Sequence, residues 1–203
     1  MCGRYYVDDD TAREIEKLVR QVDEKMKRKT AACKVEIMEK DIHPTETAPI
    51  LASFESGVEC RWQKWGFPGF RRGQVIFNAR CESAMGKPMF RDAVLHRRVV
   101  IPAAWFYEWD RNKQKHTFCR EGGTPLFMAG CCRKYEDGDR FVILTTQANA
   151  SMEPVHDRVP LILEREEVVD WLLEDGTAEE LLGKLPPLLE RRAEYKQMSL
   201  FDI

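Results

Sequence analysis

The feature that most constrains the fold is a series of short apolar runs, separated by proline, glycine and Asp-Gly signals, that fills the middle of the chain. Short runs rich in β-branched and aromatic residues are typical of strands. Val58, Cys60 and Trp62 alternate with charged residues and predict one half-buried strand. We predict further strands at 75–77, 98–101, 106–107, 115–120, 126–131 and 141–146. Asp137-Gly138 predicts a turn between the last two.

Helical patterns lie mainly at the two ends of the chain. Residues 10–29 combine an acidic start with apolar residues at helical spacing, and Asp8 offers a cap. Shorter helices are predicted at 89–96, 165–174 and 178–183, followed by a final polar helix after Pro186-Pro187. The predicted class is α+β, with a mostly antiparallel, barrel-like sheet and peripheral helices. We expect one domain at 1–190 and a tail at 191–203.

Composition restricts the class of protein and the cellular compartment that we expect. The chain has 203 residues, of which 43% are hydrophobic and 33% charged, which is enough for a core under a solvated surface. No apolar stretch approaches the ~20 residues of a membrane span, and no leader pattern opens the chain. Seven cysteines, an odd number, indicate free thiols in a reduced cytoplasmic protein. We expect no metal site, since the adjacent Cys131 and Cys132 suit zinc ligation poorly. We also expect a monomer that needs no cofactor.

Charge is unevenly distributed along the chain. Residues 61–133 hold 14 Lys/Arg against 5 Asp/Glu, whereas residues 164–194 hold 10 acidic against 4 basic residues. Such asymmetry favours a basic face, although the same charges could equally be scattered over opposite faces.

Cys2 is the first candidate for chemistry. Removal of Met1 would leave an α-amine and a thiol on one residue, and both are partly deprotonated at neutral pH when unperturbed. The amine can condense with an aldehyde to a Schiff base, which the thiol can then close to a thiazolidine. The alternative is an incidental residue in a frayed terminus.

Three internal segments add polar groups. Asn78-Ala79-Arg80 follows a predicted strand and supplies an amide and a guanidinium. Glu108 stands among Phe106, Tyr107 and Trp109, an apolar setting that suits proton transfer, although it could also face outward and pair with an arginine. His156 lies in a proline-bracketed loop and is either a titrating catalytic group or a surface residue.

Together, these segments resemble the SRAP (SOS-response-associated peptidase) family, which shields abasic sites in single-stranded DNA. The resemblance covers nearly the whole chain to about residue 173. It rests on ordered short blocks: Met1-Cys2-Gly3-Arg4-Tyr5, Ile42-His43-Pro44-Thr45, Trp65-Gly66-Phe67-Pro68, Asn78-Ala79-Arg80-Cys81-Glu82, Lys87-Pro88-Met89-Phe90-Arg91, Arg97-Arg98, Ile101-Pro102-Ala103, Phe106-Tyr107-Glu108-Trp109, Phe127-Met128-Ala129-Gly130, Leu144-Thr145-Thr146-Gln147-Ala148-Asn149 and Val155-His156-Asp157-Arg158-Val159-Pro160. Val99-Val100 and Ala104-Trp105 depart from the family pattern but leave the candidate catalytic residues intact.

The resemblance implies a role for each candidate residue. Cys2 would form the thiazolidine with the ring-opened abasic sugar, Asn78 would position its amine, Glu108 would shuttle protons and His156 would assist the Schiff-base chemistry. The implied DNA-contacting residues are Arg4, Trp65, Arg80 and Arg158. Two other functions stay open on the residues alone: an N-terminal-nucleophile cysteine peptidase or amidohydrolase, and a non-covalent single-stranded DNA binding module.

The tail carries a separate motif. Gln197-Met198-Ser199-Leu200-Phe201 resembles the pentapeptide with which bacterial proteins dock on the replicative sliding clamp, where the glutamine fixes the register and Leu200 and Phe201 fill an apolar pocket. The alternative is a terminal segment in which Met198, Leu200 and Phe201 pack back onto the domain.

Overall fold

The computed structural model describes residues 2–27, 35–36, 39–54 and 57–193. Met1 and the predicted clamp-docking residues Gln197, Met198, Leu200 and Phe201 lie outside them. The described helices are α1 (Asp9–Lys25), α2 (Cys81–Ala84), α3 (Pro88–His96), α4 (Glu167–Leu173) and α5 (Ala178–Leu182). The strands are β1 (Tyr5–Val7), β2 (Lys40–Ile42), β3 (Thr47–Phe54), β4 (Gly57–Trp65), β5 (Phe67–Pro68), β6 (Val75–Ile76), β7 (Asn78–Arg80), β8 (Arg98–Ala103), β9 (Trp105–Trp109), β10 (Lys115–Cys119), β11 (Leu126–Tyr135), β12 (Gly138–Gln147), β13 (Arg158–Pro160), β14 (Ile162–Leu163) and β15 (Glu190–Ala193).

Five strands close into a barrel. Strand β12 pairs with β4, β4 with β3, β3 with β8, β8 with β11, and β11 returns to β12. Within this ring only the β4–β12 pair is parallel. The interior is tightly filled at Gly130, where a Cβ atom would lie 2.5 Å from the carbonyl oxygen of Val142. The predicted α+β class with a mostly antiparallel, barrel-like sheet is confirmed.

A second sheet has the strand order β15-β10-β9-β1-β2 and is antiparallel throughout. Tyr5 from this sheet packs against Trp65 of the barrel, with ring centroids 5.1 Å apart. The ring of Trp65 also stacks on Phe141, and its Nε1 donates to the carbonyl of Phe77 at 2.8 Å. Trp65 is 0% exposed and therefore belongs to the core that joins the two sheets, so the expectation that it contacts DNA is wrong.

Helix α1 confirms the predicted amphipathic segment but ends earlier. Asp8 caps it, because its Oδ1 accepts the Thr11 N–H at 2.8 Å. The helix stops at Lys25, and Lys27 adopts a positive φ of 54°, which a continuing helix does not allow. Met26, expected on the buried face, is largely exposed.

Two other expectations are corrected. Residues 190–193 form β15, paired with β10, where a polar helix was expected, so the predicted domain boundary after residue 190 falls inside a strand. In β4 the alternation does not persist, since Trp62 is 51% exposed while Gln63 and Trp65 are buried. Among the described residues, no helix is both long enough and apolar enough to span a membrane.

Candidate active site

Cys2 lies in the interior, where the two sheets meet. Its side chain is 1% exposed, and its Sγ lies 3.7 Å from the carbonyl oxygen of Arg4. Burial, and next the negative charge of Glu108, raise the pKa of the Cys2 thiol far above its ordinary value. Burial therefore favours the protonated thiol over the partly ionised form expected of an unperturbed cysteine.

The second sheet brings Glu108 to Cys2. Strand β1 runs antiparallel to β9 with Tyr5 opposite Phe106, and the Tyr107 N–H donates to the Arg4 carbonyl at 3.0 Å. Going back along the chain from Tyr5 toward Cys2 therefore follows β9 forward from Phe106 toward Glu108. Glu108 is 4% exposed, so it faces the interior and the outward-facing alternative is excluded.

The barrel supplies the third group. Asn78 opens β7, which runs parallel to β12 with Asn78 opposite Ile143. The Asn78 Nδ2 donates to the carbonyl oxygen of Cys2 at 2.8 Å, across 76 residues of sequence. Its Oδ1 is buried and has no hydrogen-bond partner among the described residues. We call Cys2, Asn78 and Glu108 the Cys2 cluster.

Two cavities open beside the Cys2 cluster. The first, of about 980 Å³, is mainly apolar and includes Asn78 in its wall together with Phe70, Ile76, Met89 and Phe90. The second, of about 880 Å³, is mainly polar and is lined by His156 and Trp109 among others. Both include Arg80, Gln147 and Arg158 in their walls. We call the two cavities together the arginine groove.

His156 lines the polar cavity of this groove. Its Nδ1 accepts the backbone N–H of Arg158 at 2.9 Å, which requires a lone pair on Nδ1 and places the proton of a neutral ring on Nε2. The carboxylate of Asp157 lies 2.9 Å from the same Nδ1, a contact that is favourable only when this nitrogen is protonated. Because the Asp157 side chain is 83% exposed, it can turn to water, so the neutral ring is the arrangement that keeps the Arg158 N–H paired.

The three predicted phosphate-contacting arginines differ in how exposed they are and in whether their guanidinium groups are paired. Arg80 is exposed. Arg4 is half-buried, 3.6 Å from Asp41, and its guanidinium carbon lies 5.2 Å from the centre of the Trp109 ring.

Arg158 is buried, and both terminal nitrogens of its guanidinium are paired. It donates to both carboxylate oxygens of Glu82 at 2.7 and 2.8 Å and to the Thr145 carbonyl at 2.5 Å. The ion pair lowers the pKa of Glu82. The expectation that Arg158 contacts phosphate is therefore corrected: in this structure the arginine pairs with Glu82 and braces the groove wall.

Sequence reasoning missed Phe70, which is 87% exposed on the wall of the apolar cavity. The signal was present, since Phe70 stands between Gly69 and Gly73 and glycine-flanked apolar residues often lie at loop tips. Glu82, the partner of Arg158, was also missed, because sequence does not reveal a contact across 76 residues. No group of three or more His, Cys, Asp and Glu side chains in the described ranges is arranged to hold a metal ion.

Known proteins resemble this chain in sequence and in fold. A family model described as SOS response associated peptidase (SRAP) matches residues 1–200, and the chain belongs to that family. The Bacillus subtilis protein named abasic site processing protein YoaM is 32% identical over 152 residues, covering 67% of each chain. Abasic site processing protein YoqW from the same species is 34% identical over 167 residues, covering 72% of this chain and 75% of the relative. The crystal structure of a phage-related protein from Bordetella bronchiseptica shares the fold, with a TM-score of 0.76, 20% identity and coverage of 96% of this chain and 95% of that one.

Proposed function

We propose that this protein processes abasic sites in single-stranded DNA by forming a covalent thiazolidine between Cys2 and the ring-opened sugar. The observation that carries the proposal is the Cys2 cluster itself: distant segments bring an amide and a carboxyl group to the one residue whose amine and thiol can capture an aldehyde. Relatives named abasic site processing proteins support the same substrate class.

The first step is imine formation at the α-amine of Cys2, after Met1 has been removed. The amine adds to the sugar aldehyde to give a carbinolamine, which loses water when an acid protonates its hydroxyl group. The Asn78 hydrogen bond to the Cys2 carbonyl fixes this end of the chain, and the unpartnered Asn78 Oδ1 is a ready acceptor for the amine N–H. Glu108 is the acid.

The second step is ring closure by the thiol. A thiol whose pKa is raised by burial cannot compete for the aldehyde as a thiolate, so the amine reacts first. The iminium ion then brings a positive charge beside the sulfur. Glu108, deprotonated in the first step, takes the thiol proton as sulfur bonds to the iminium carbon, and the nitrogen keeps its hydrogen. No net proton is gained or lost, and one water leaves.

The arginine groove would bind the DNA on either side of the lesion. Arg80 and Arg4 provide guanidinium groups for phosphates, and the exposed rings of Phe70 and Trp109 offer stacking surfaces for bases. His156 lines the polar cavity and would assist the Schiff-base chemistry of a substrate bound in the groove.

A crosslinking assay tests the proposal. Intact mass measurement first establishes whether Met1 is absent; the protein is then incubated with an oligonucleotide carrying one abasic site and analysed on a denaturing gel. We expect a covalent band from the wild type, none from Cys2→Ala, and full yield from the matched control Cys60→Ala, which removes a half-buried thiol. Cys2→Ser retains the amine, so it should give an adduct that is stable only after borohydride reduction.

Other outcomes assign other functions. Retained Met1 would exclude Schiff-base chemistry at Cys2. Absent Met1 without crosslinking would favour an N-terminal-nucleophile hydrolase, and DNA binding without a covalent band would favour a non-covalent binding module.

We also propose that residues 197–201 dock on a bacterial sliding clamp. A clamp would recruit the protein to replication sites, where abasic single strands arise. Deletion of residues 197–203 should abolish clamp retention in a pull-down and leave melting temperature and crosslinking unchanged. Loss of melting temperature without any clamp binding by the full chain would assign the segment to the fold.

A further inference from the structure

His116 is a buried neighbour of Glu108 that the proposed chemistry has not used. It lies on β10 directly opposite Glu108 of β9, and it is 7% exposed. The pair two residues away, Phe106 and Phe118, is fully buried with ring centroids 5.3 Å apart. Because side chains two residues apart on a strand share a face, His116 and Glu108 point to the same interior side as these rings.

The other side of the His116 ring is held by Asp110. The His116 Nε2 lies 3.2 Å from the Asp110 Oδ2. The Asp110 Oδ1 accepts the backbone N–H groups of Gln114 at 2.9 Å and Asn112 at 2.8 Å. The Gln114 hydrogen bond, and next that of His116, lower the pKa of Asp110. An ionised Asp110 only accepts hydrogen bonds, so Nε2 carries the proton.

The other ring nitrogen of His116 has no such partner in the part of the chain that the structure describes. Nδ1 of His116 is buried and has no hydrogen-bond partner among the described residues. Buried polar atoms are nearly always paired, and an imidazole is an unusual choice where only packing is needed. Protonation of Nδ1 would turn it into a buried donor on the face of the sheet that His116 shares with Glu108.

We propose that His116, held by Asp110, is the positioning residue that supplies Glu108 with the proton it gives to the carbinolamine. Nδ1–H of the imidazolium transfers its proton to the Glu108 carboxylate, leaving a neutral imidazole and a carboxylic acid. The reverse transfer restores both groups. The proposal deepens the proposed function and rests on it, since it gives Glu108 its acid form at the start of the reaction.

The ionisable groups next to this pair include Asp110, the Cys2 thiol and, on β15, Arg191, which lies opposite Phe118 on the face that His116 shares. Strand β15 pairs with His116 through Ala193, which carries no titratable group. Lys115 and Thr117 project to the other face of β10, where the Lys115 Nζ lies 4.8 Å from the Tyr107 ring centre.

The kinetic test compares wild type, His116→Gln and the control Lys115→Gln, which changes the opposite face of the same strand. Single-turnover crosslinking to abasic-site DNA is measured from about pH 5 to about pH 8, a range that spans the ordinary titration of imidazole. The free α-amine of Cys2 becomes more abundant with rising pH in all three proteins, so each variant is compared with the wild type at the same pH. His116→Gln should be about tenfold slower than the wild type at the acidic end, and this difference should shrink as the pH rises, whereas Lys115→Gln keeps the wild-type profile. Melting temperature and DNA affinity verify folding. An unchanged pH profile in folded His116→Gln overturns the proposal.

A second measurement does not need crosslinking and so separates this proposal from the proposed function. The ring signals of His116 are followed by NMR as a function of pH in the wild type and in Glu108→Gln. Loss of the carboxylate should move the His116 titration to lower pH, while Glu121→Gln, a surface change, should not. Identical titration in the wild type and in Glu108→Gln refutes the coupling, whatever the crosslinking assay shows.

Discussion

The Cys2 cluster and the arginine groove are adjacent but built on opposite principles. The Cys2 cluster is buried: Cys2 and Glu108 are almost inaccessible, and a hydrogen bond between distant segments fixes Cys2 to Asn78. The arginine groove is open, and its edge carries exposed Arg80 and Phe70. Buried polar groups have few alternative arrangements, whereas exposed ones can adapt to a flexible ligand.

This difference predicts a division of labour. Changes in the Cys2 cluster should alter the rate of covalent chemistry with little effect on DNA affinity. Changes at the edge of the groove should alter affinity and its salt dependence with little effect on the rate once DNA is bound. After substitution of Cys2, substitution of Glu108 should have the largest effect on the rate of crosslinking.

Glu108→Gln should slow crosslink formation by about 100-fold, because the amide keeps the shape of the side chain but can neither give nor take the proton. Equilibrium binding to undamaged single-stranded DNA should stay within about twofold, since Glu108 does not line the groove. Gel-based kinetics and fluorescence anisotropy measure the two quantities. A wild-type rate would mean that Glu108 takes no part in the covalent reaction. A large loss of affinity would mean that the Cys2 cluster also contributes to DNA binding.

Arg158→Ala should mainly destabilise the protein. The variant loses both hydrogen bonds to Glu82 and the bond to the buried Thr145 carbonyl, and we expect about 2 kcal/mol less unfolding free energy. Chemical denaturation measures this loss, with Arg80→Ala as the control that removes an exposed arginine from the same groove. If Arg158→Ala melts like the wild type but binds DNA poorly, Arg158 belongs to the groove edge after all.

The contrast between the two regions also explains what sequence could predict. Cys2, Asn78 and Glu108 are recognisable because the required chemistry restricts the residue type, and the short blocks around them resemble one family. The helix at Asp9–Lys25 and the central strands follow from local periodicity and caps. These are local properties of the chain.

Burial is not a local property, and the misassigned residues show this. Trp65 and Arg158 carry side chains suited to DNA binding, yet the packing of the second sheet on the barrel covers Trp65, and Glu82 occupies Arg158. The charged sequence of β15 predicts a polar helix, whereas the segment forms a strand by pairing with β10. Such outcomes depend on partners far away in sequence.

Arg80→Ala should weaken binding to single-stranded DNA by up to about tenfold at low salt and reduce the salt slope by about one unit, because one phosphate contact and its counterion release are lost. Crosslinking at saturating DNA should keep its wild-type rate. The control is Arg20→Ala, which removes an exposed arginine from α1. An unchanged salt slope would place the DNA backbone away from Arg80.

The smallest expected effect concerns Glu82, which joins the two regions through Arg158. Its pKa is lowered, first by the Arg158 hydrogen bonds, so the folded state favours the ionised carboxylate. The resulting stability is fully present above the ordinary carboxyl pKa of about 4.3 and is lost as the pH falls through the lower folded value. Because Glu82 is half exposed, solvent screens the pair, and Glu82→Gln should cost only about 0.5 kcal/mol near neutral pH. Denaturation at a series of pH values should show this difference shrinking on acidification, while the exposed control Glu121→Gln shows no such trend. A difference that persists at the lowest pH would mean that Glu82 stabilises the wall by packing and not by its charge.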